Sequence, residues 1–145
     1  MAVVSNINKV IAALKKLKVE AGKSTSAAIG FTQRYAVHVH EDMAAAHAPG
    51  KQAKYLEAPA RQYATEIATA IRTVYSKTKN LEKALIMGGL RLQREAQQIV
   101  PIDTSALKNS AWTALEKEVV AVSAAAFAKS EAIRITELTK RANKP

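Results

Sequence analysis

The chain has 145 residues, 48% of them hydrophobic, and no cysteine. This length suits one domain with a modest core, and the lack of cysteine excludes disulfides, thiolate catalysis and cysteine-bound zinc. Lysine and arginine number 22 against 12 aspartates and glutamates, a formal charge of +10 that suits an anionic partner such as DNA or an acidic protein. No secretory signal and no membrane-spanning apolar run is present in the sequence, so a soluble protein without membrane partners is expected.

In the first half of the chain the spacing of the apolar residues changes twice. Apolar residues recur every three or four positions from Val3 to Leu17, which predicts an amphipathic helix that ends at Gly22. From Ser24 to Glu41 apolar and polar residues alternate, which predicts a strand or a tight hairpin. The segment from Asp42 to Lys54 contains a Pro-Gly turn signal and is predicted as a loop, with a short helical piece from Met43 to His47.

The helical period returns in the middle of the chain. It runs from Leu56 to Tyr75, stops near 78–80 and resumes from Leu81 to Ile99, before Pro101 ends the second helix. The pair Gly88-Gly89 interrupts the apolar stripe of that helix, and each glycine lowers helix stability by about 1 kcal/mol relative to alanine. We therefore expect either a kink or the close approach of another helix there.

The C-terminal part is predicted to be mostly extended. Asp103 or Thr104 is a candidate N-cap for a helical turn that ends at Asn109. Strands are predicted from Trp112 to Ser123 and from Glu131 to Glu137, because valine and isoleucine alternate with small or polar residues. The basic residues 140–145 are expected to form a flexible tail. The whole chain, 1–145, is thus predicted as a single α+β domain in which a small antiparallel sheet packs against two or three longer helices.

All three histidines fall within one segment. If His38 and His40 lay on a strand, they would point to the same face and could bind a metal with Asp42 or His47. The alternative is that the histidines line the polar face of a half-buried strand, and no metal or cofactor is assigned. Because the chain also lacks a serine nucleophile elbow and a phosphate-binding glycine loop, we expect no enzymatic activity.

The basic residues show no pattern of sequence-specific DNA recognition. No helix-turn-helix or zinc-finger spacing occurs, and a DNA contact would be to the phosphate backbone alone. Tyr63 and Tyr75 lie near basic residues, but they fall on or beside the apolar stripe of their helix, which favours core packing. The basic residues considered as contacts for DNA or a protein partner are Lys15, Lys16, Lys18, Lys51, Lys54, Lys140, Arg141 and Lys144.

Two pieces of sequence resemble a known family. The first is Tyr35 to Glu41 (YAVHVHE), followed after a loop by Ala53 to Pro59 (AKYLEAP); the second is Val100 to Ser110 (VPIDTSALKNS). They resemble the minor capsid, neck and tail-completion proteins of long-tailed phages, in which a Tyr-Ala-x-x-Val-His-Glu strand leads through a loop to a Lys-Tyr/Phe-Leu helix start, and a Pro-x-Asp-Thr-Gly-x-Leu-Arg-x-Ser turn recurs. Ser105 stands where the family usually has glycine, Lys108 stands where arginine is common, and the motif order differs from that of many members. The motif residues are Tyr35, Val39, His40, Glu41, Tyr55, Leu56, Pro101, Asp103, Thr104 and Leu107.

The resemblance implies a structural protein of the virion neck. Copies of it would form a homo-oligomeric ring around the DNA channel, next to head-completion or portal proteins and tail-tube proteins, with transient non-specific contact to genomic DNA after assembly in the host cytoplasm. The loop from Asp42 to Lys54 and the tail after Thr139 are the expected contacts between subunits. Leu107 would anchor its turn to the core, and Trp112 would pack on the next strand. The charge alone leaves an alternative, a basic module that binds DNA without sequence preference.

Overall fold

In this computed structural model the described residues are 11–12, 25–103 and 105–145. The elements that these ranges contain in full are, in chain order, β1 (Ala27–Phe31), α1 (Ala36–Glu41), α2 (Glu57–Gln62), α3 (Ala64–Thr78), α4 (Leu81–Ile99), α5 (Ala106–Asn109), β2 (Ala111–Leu115), a 3-10 turn (Glu116–Glu118) and α6 (Val119–Ala142). The predicted helix from Val3 to Leu17 and its end at Gly22 lie outside the described residues, apart from Ile11 and Ala12, which are helical.

The fold is built around α4. Strands β1 and β2 pair antiparallel, with Ala27 opposite Leu115 and Phe31 opposite Ala111. Helix α4 packs against both strands and against α3, while α6 packs against β2 and α5. The prediction of an α+β fold with a small antiparallel sheet against longer helices is therefore confirmed. Within the described part of the chain, no helix is both long enough and apolar enough to cross a membrane.

Two adjacent glycines let α4 approach its neighbours on both sides. A Cβ atom on Gly88 would lie 2.5 Å from Cγ1 of Ile71 in α3, and one on Gly89 would lie 2.5 Å from Cγ2 of Thr113 in β2. Both distances are shorter than Cβ atoms normally show, so a side chain at either position would force Ile71 or Thr113 to shift. Of the two alternatives predicted for this pair, close approach is the one observed, and α4 continues through it.

The buried side chains form two clusters. One lies between α3 and α4 and contains Ile67, Ile71, Leu81, Ala84 and Leu85, with Tyr63 and Tyr75 packed against it as predicted. The other contains Ala36, Tyr55, Val100 and Leu107, with the half-buried Phe31, Val39, Leu56 and Ile99 packed around them. We call this second cluster the motif junction, because all its members except Phe31 and Ile99 belong to the two phage-like motifs.

The strand predicted from Ser24 to Glu41 is only partly correct. Strand β1 ends at Phe31, a turn closes through a hydrogen bond from the Ala36 amide to the Gln33 carbonyl (3.0 Å), and α1 follows. In α1 the inward side chains are Ala36, Val39 and His40, whereas Val37 is 75% exposed. The alternation of valine and histidine therefore has no structural counterpart, because a helix buries positions three and four apart.

The segment after α1 is a loop, as predicted, but the helical piece from Met43 to His47 is wrong. The Asp42 carboxylate accepts hydrogen bonds from the backbone amides of Ala44 (3.1 Å) and Ala45 (3.2 Å). An aspartate that bonds the following amides in this way stabilises a turn in competition with a helix.

The strands predicted beyond β2 are also wrong. The prediction from Trp112 to Ser123 is correct only as far as Leu115. Trp112 packs across Gly30 of the earlier strand β1, and not on a following strand as expected. Residues 119–142 form one helix, α6, whose only buried residue is Ser130. Its hydroxyl accepts a hydrogen bond from the buried Gln33 amide (2.7 Å) and donates one to the Phe127 carbonyl (2.9 Å).

The cap and the tail also differ from expectation. The N-cap of α5 is Ser105, without a side-chain cap hydrogen bond, and Thr104 lies outside the described residues. The Asp103 carboxylate pairs instead with Arg141 (2.9 Å), which with Lys140 belongs to the last turn of α6 rather than to a flexible tail. The ion pair ties the end of α6 to the second motif.

Candidate functional site

Tyr55 is the centre of the motif junction. Its side chain is 1% exposed, and its hydroxyl donates a hydrogen bond to the Ala36 carbonyl (2.7 Å). The rings of Phe31 and His40 meet it edge-on, with centroids 4.9 and 5.0 Å away. Burial raises the pKa of the Tyr55 phenol, so the hydroxyl stays protonated and acts as a donor.

His40 holds the two parts of the first motif together. Its carbonyl accepts from the Lys54 amide (2.7 Å), and its Nε2 accepts from the Glu57 amide (3.3 Å) at the start of α2. Nδ1 lies 2.7 Å from the Glu41 carboxylate, which fits a neutral ring with its proton on Nδ1. His40 is thus placed as a structural residue, with both ring nitrogens engaged.

A chain of alternating charges borders the junction. The Lys54 ammonium contacts the Glu41 carboxylate and lies 3.4 Å from that of the buried Glu57, which also contacts Arg61. Lys54 first, and His40 second, hold the pKa of Glu41 below its ordinary value, and Glu41 raises the pKa of Lys54. Lys54 therefore makes its closest contacts within the chain.

Four of the other basic residues considered as external contacts lie in the described part of the chain, and three of them, Lys51, Lys140 and Arg141, have partners there. The Lys51 ammonium donates to the Gln98 carbonyl (2.7 Å), and that of Lys140 lies 3.2 Å from Glu137. Lys144 is exposed at the C-terminal end. Lys15, Lys16 and Lys18 lie outside the described residues. These contacts leave the formal net charge unchanged, because the aspartates and glutamates are already subtracted in it.

The histidines do not converge on a metal site. Because α1 is a helix, His38 and His40 are separated by about 200° around its axis. The His38 side chain is exposed, 3.9 Å from the Asp42 carboxylate, while His40 points inward. Among residues 11–12, 25–103 and 105–145, no group of three or more histidine, aspartate and glutamate side chains could hold a metal ion. The feasible pair suggested by a strand does not exist on this helix.

A cleft of about 250 Å³ opens where the two motifs meet. Its walls come from Tyr35 and Val39 of the first motif, Pro101 and Leu107 of the second, and the loop residues 46–48. The side-chain Nε2 of His47 is buried there with no hydrogen-bond partner among the described residues. Ile102 on the wall is 45% exposed. Sequence reasoning did not single out Ile102, although an isoleucine between Pro101 and Asp103 in a polar turn was a usable signal.

The solvent side of α6 is apolar. We define the outer face of α6 by eight exposed residues: Val120, Ala121, Ala124, Ala125, Ala128, Ala132, Ile135 and Leu138. Val120 is 85% exposed and Ile135 56%. Between Val120 and Leu138 the helix has ten exposed positions, and only Lys129 among them is charged. Sequence reasoning missed this face because it predicted strands here.

No family model, curated protein or solved structure matches the chain. The likeness of the two motifs to phage neck proteins therefore stays a prediction. The features of the described residues that bear on function are the motif junction, its cleft and the outer face of α6.

Proposed function

We propose that the chain is a structural subunit of a tailed-phage neck, a head–tail joining or tail-completion protein that acts as a ring of identical copies. The observation that carries this proposal is the outer face of α6. A helix on the surface of a protein normally carries polar and charged residues on its solvent side. From Val120 to Leu138 this helix has a single charge among its ten exposed positions, which is the kind of surface that a partner covers.

The motif junction supports the phage assignment in a second way. The two phage-like motifs are far apart in the sequence, and each resembles the same family by itself. In the fold they pack on each other through Tyr55, Ala36 and Leu107. Ser105, at the family's glycine position, has a left-handed backbone with φ of 67°. Glycine is the residue that adopts this conformation without strain, which gives the family pattern a physical reason.

The mechanism under this proposal is docking by shape, without a covalent step. A contact between two different faces of neighbouring copies closes into a ring when the rotation between them fits a whole turn. The outer face of α6 supplies one apolar face, and the cleft at the motif junction supplies a concave one. The Glu41, Lys54, Glu57 and Arg61 charges keep the loop beside that cleft in place.

The test is self-association of the full chain. We expect assemblies larger than a monomer in light scattering and rings in electron micrographs. Ala128→Glu, in the middle of the outer face, should shift them to monomers, because burying an unpaired charge is strongly unfavourable. Lys129→Glu is the matched control: it places the same side chain one position along, on the charged edge of α6, and should leave the assemblies intact.

Two results would contradict the proposal. One is a monomer at every concentration tested, with no difference between Ala128→Glu and the unmodified chain. The other concerns the location in the virion, which is proposed from the two motifs alone. Antibodies to the chain should label the head–tail joint of virions. Labelling elsewhere would contradict the location at the neck.

The second candidate function is a monomeric DNA-binding module, which the net charge of +10 favours. It predicts that the monomer binds any duplex, with an affinity that falls steeply as salt increases because counterions are released on binding. Ala128→Glu should then weaken DNA binding only slightly. Tight binding by a monomer, without rings, would select this candidate over the first.

A further inference from the structure

An apolar groove of about 270 Å³ lies on the side of the fold formed by β1, α2, α3 and α4. Ala27 and Ile29 of β1 form one wall, Leu56 lies just before α2, and Leu92 of α4 forms another wall. A groove lined mainly by apolar side chains in this way offers water few hydrogen-bonding partners. An apolar occupant is therefore favoured over solvent.

Ile11 identifies the occupant. It lies far from β1 in the sequence, and yet its side chain lines the groove together with Ile29 and Leu92. In the sequence Ile11 belongs to a set of apolar residues three or four positions apart: Val3, Ile7, Val10, Ile11, Leu14 and Leu17. A helix with this spacing presents one apolar side.

The link between Ile11 and β1 is short enough to favour docking within the same molecule. Twelve residues separate Ala12 from Thr25, and β1, which begins at Ala27, is itself a wall of the groove. A link of this length reaches at most about 45 Å, so the segment around Ile11 stays close to the groove at a high effective concentration. The charged residues between Met1 and Leu17 are all lysines, and the groove has no charged lining residue to repel or attract them.

We infer that the groove is the docking site of the chain's own N-terminal segment, residues 1–17, which inserts its apolar side in the same molecule. The segment acts as an internal partner that covers Leu56 and Leu92. This inference does not depend on the proposed neck function, because it concerns a different side of the fold from the outer face of α6.

The absence of cysteine makes a direct test possible in the full chain. Leu92→Cys places a reporter thiol in the groove, and Leu90→Cys places one at a 44% exposed position of the same helix, outside the groove lining. We expect the thiol at position 92 to react slowly with a labelling reagent. Adding Ile11→Asp should accelerate it roughly three- to tenfold, because Ile11 is 41% exposed and only the rest of its side chain contributes apolar contact in the groove. The rate at position 90 should not change.

Ala12→Asp is the matched control, because Ala12 is the helical neighbour of Ile11 and does not line the groove. It should leave the rate at position 92 unchanged. Leu56→Cys provides a second reporter if the first disturbs the fold, which circular dichroism checks. Protection must also be independent of protein concentration. Equal labelling rates with and without Ile11→Asp would overturn the inference, and protection that disappears on dilution would assign the groove to a second copy instead.

Discussion

Ser105 starts α5 with a backbone φ of 67°, in the left-handed region. A side chain with a Cβ atom pays a steric penalty in that region, and glycine does not. Ser105→Gly should therefore raise the free energy of unfolding by roughly 0.5–1 kcal/mol, measured by urea denaturation. Ser105→Ala keeps the Cβ atom and removes only the hydroxyl, so it should give no gain. If the alanine variant were as stabilised as the glycine variant, the backbone explanation would be wrong.

Glu41 makes the stability of the motif junction depend on pH. Lys54 and His40 lower its pKa in the folded protein from the ordinary 4.5. A carboxyl group whose pKa is lower in the folded than in the unfolded protein stabilises the fold. This stabilisation is complete above the pKa of the unfolded protein and is lost as the pH falls through the pKa of the folded protein. Between about pH 7 and about pH 3, the melting temperature of Glu41→Gln should decline less than that of the unmodified chain. Glu118→Gln, in the exposed 3-10 turn, controls for loss of one negative charge. Equally steep declines for Glu41→Gln and the unmodified chain would contradict this expectation.

At the scale of elements, α4 depends on the space that Gly88 leaves for Ile71. Gly88→Ala gains up to about 1 kcal/mol of helix propensity, but its Cβ atom would meet Ile71 at 2.5 Å. Overpacking of this kind costs about 1–3 kcal/mol, so we expect a net loss of stability in thermal or chemical denaturation. Combining Gly88→Ala with Ile71→Ala should cost less than the sum of the two single changes, since the second change removes the clash. Additive costs would show that the contact is unimportant.

The helices differ in how far their sequences predict them. In α3 and α4 the large apolar residues are also the buried ones, so the apolar period is the helical period. In α6 the inward positions carry small residues such as Ser123, Ala126 and Ser130, while Val120 and Ile135 point outward. The valines and isoleucines that alternated as in a strand therefore lie on both sides of the helix: Val120 and Ile135 are exposed, and Val122 and Ile133 are half-buried.

The candidate site was predictable in parts and not as a whole. The motifs indicated Tyr55 and Leu107 as important residues, and both are buried in the same cluster. Their meeting depends on tertiary contacts, such as the hydrogen bond from Tyr55 to Ala36, that no local pattern specifies. The cleft wall formed by His47 and Ile102 was missed for the same reason, because it exists only once the loop lies against the second motif.

At the scale of the whole molecule, the charge of +10 separates the two candidate functions. Identical basic copies repel each other, and salt screens that repulsion over roughly 10 Å at about 0.1 M. Self-association through the uncharged outer face of α6 should therefore strengthen as salt is raised, whereas binding to DNA should weaken. Sedimentation velocity at a fixed protein concentration, with and without duplex DNA, measures both. Assemblies that dissociate with increasing salt would contradict association through an apolar face.

The hydrogen bond between Gln33 and Ser130 has a consequence beyond stability. It joins the turn after β1 to the one buried residue of α6. Sliding α6 by one turn, about 5.4 Å, would remove the Ser130 hydroxyl as acceptor for the buried Gln33 amide, which is disfavoured, although that hydroxyl would keep its own bond to the Phe127 carbonyl. This bond therefore sets the register and rotation of α6, and with them the direction in which Val120 and Ile135 face. In a ring of copies that touch through the outer face of this helix, the angle between neighbours, and so the number that closes the circle, would depend on a contact on the opposite, inward side of the same helix.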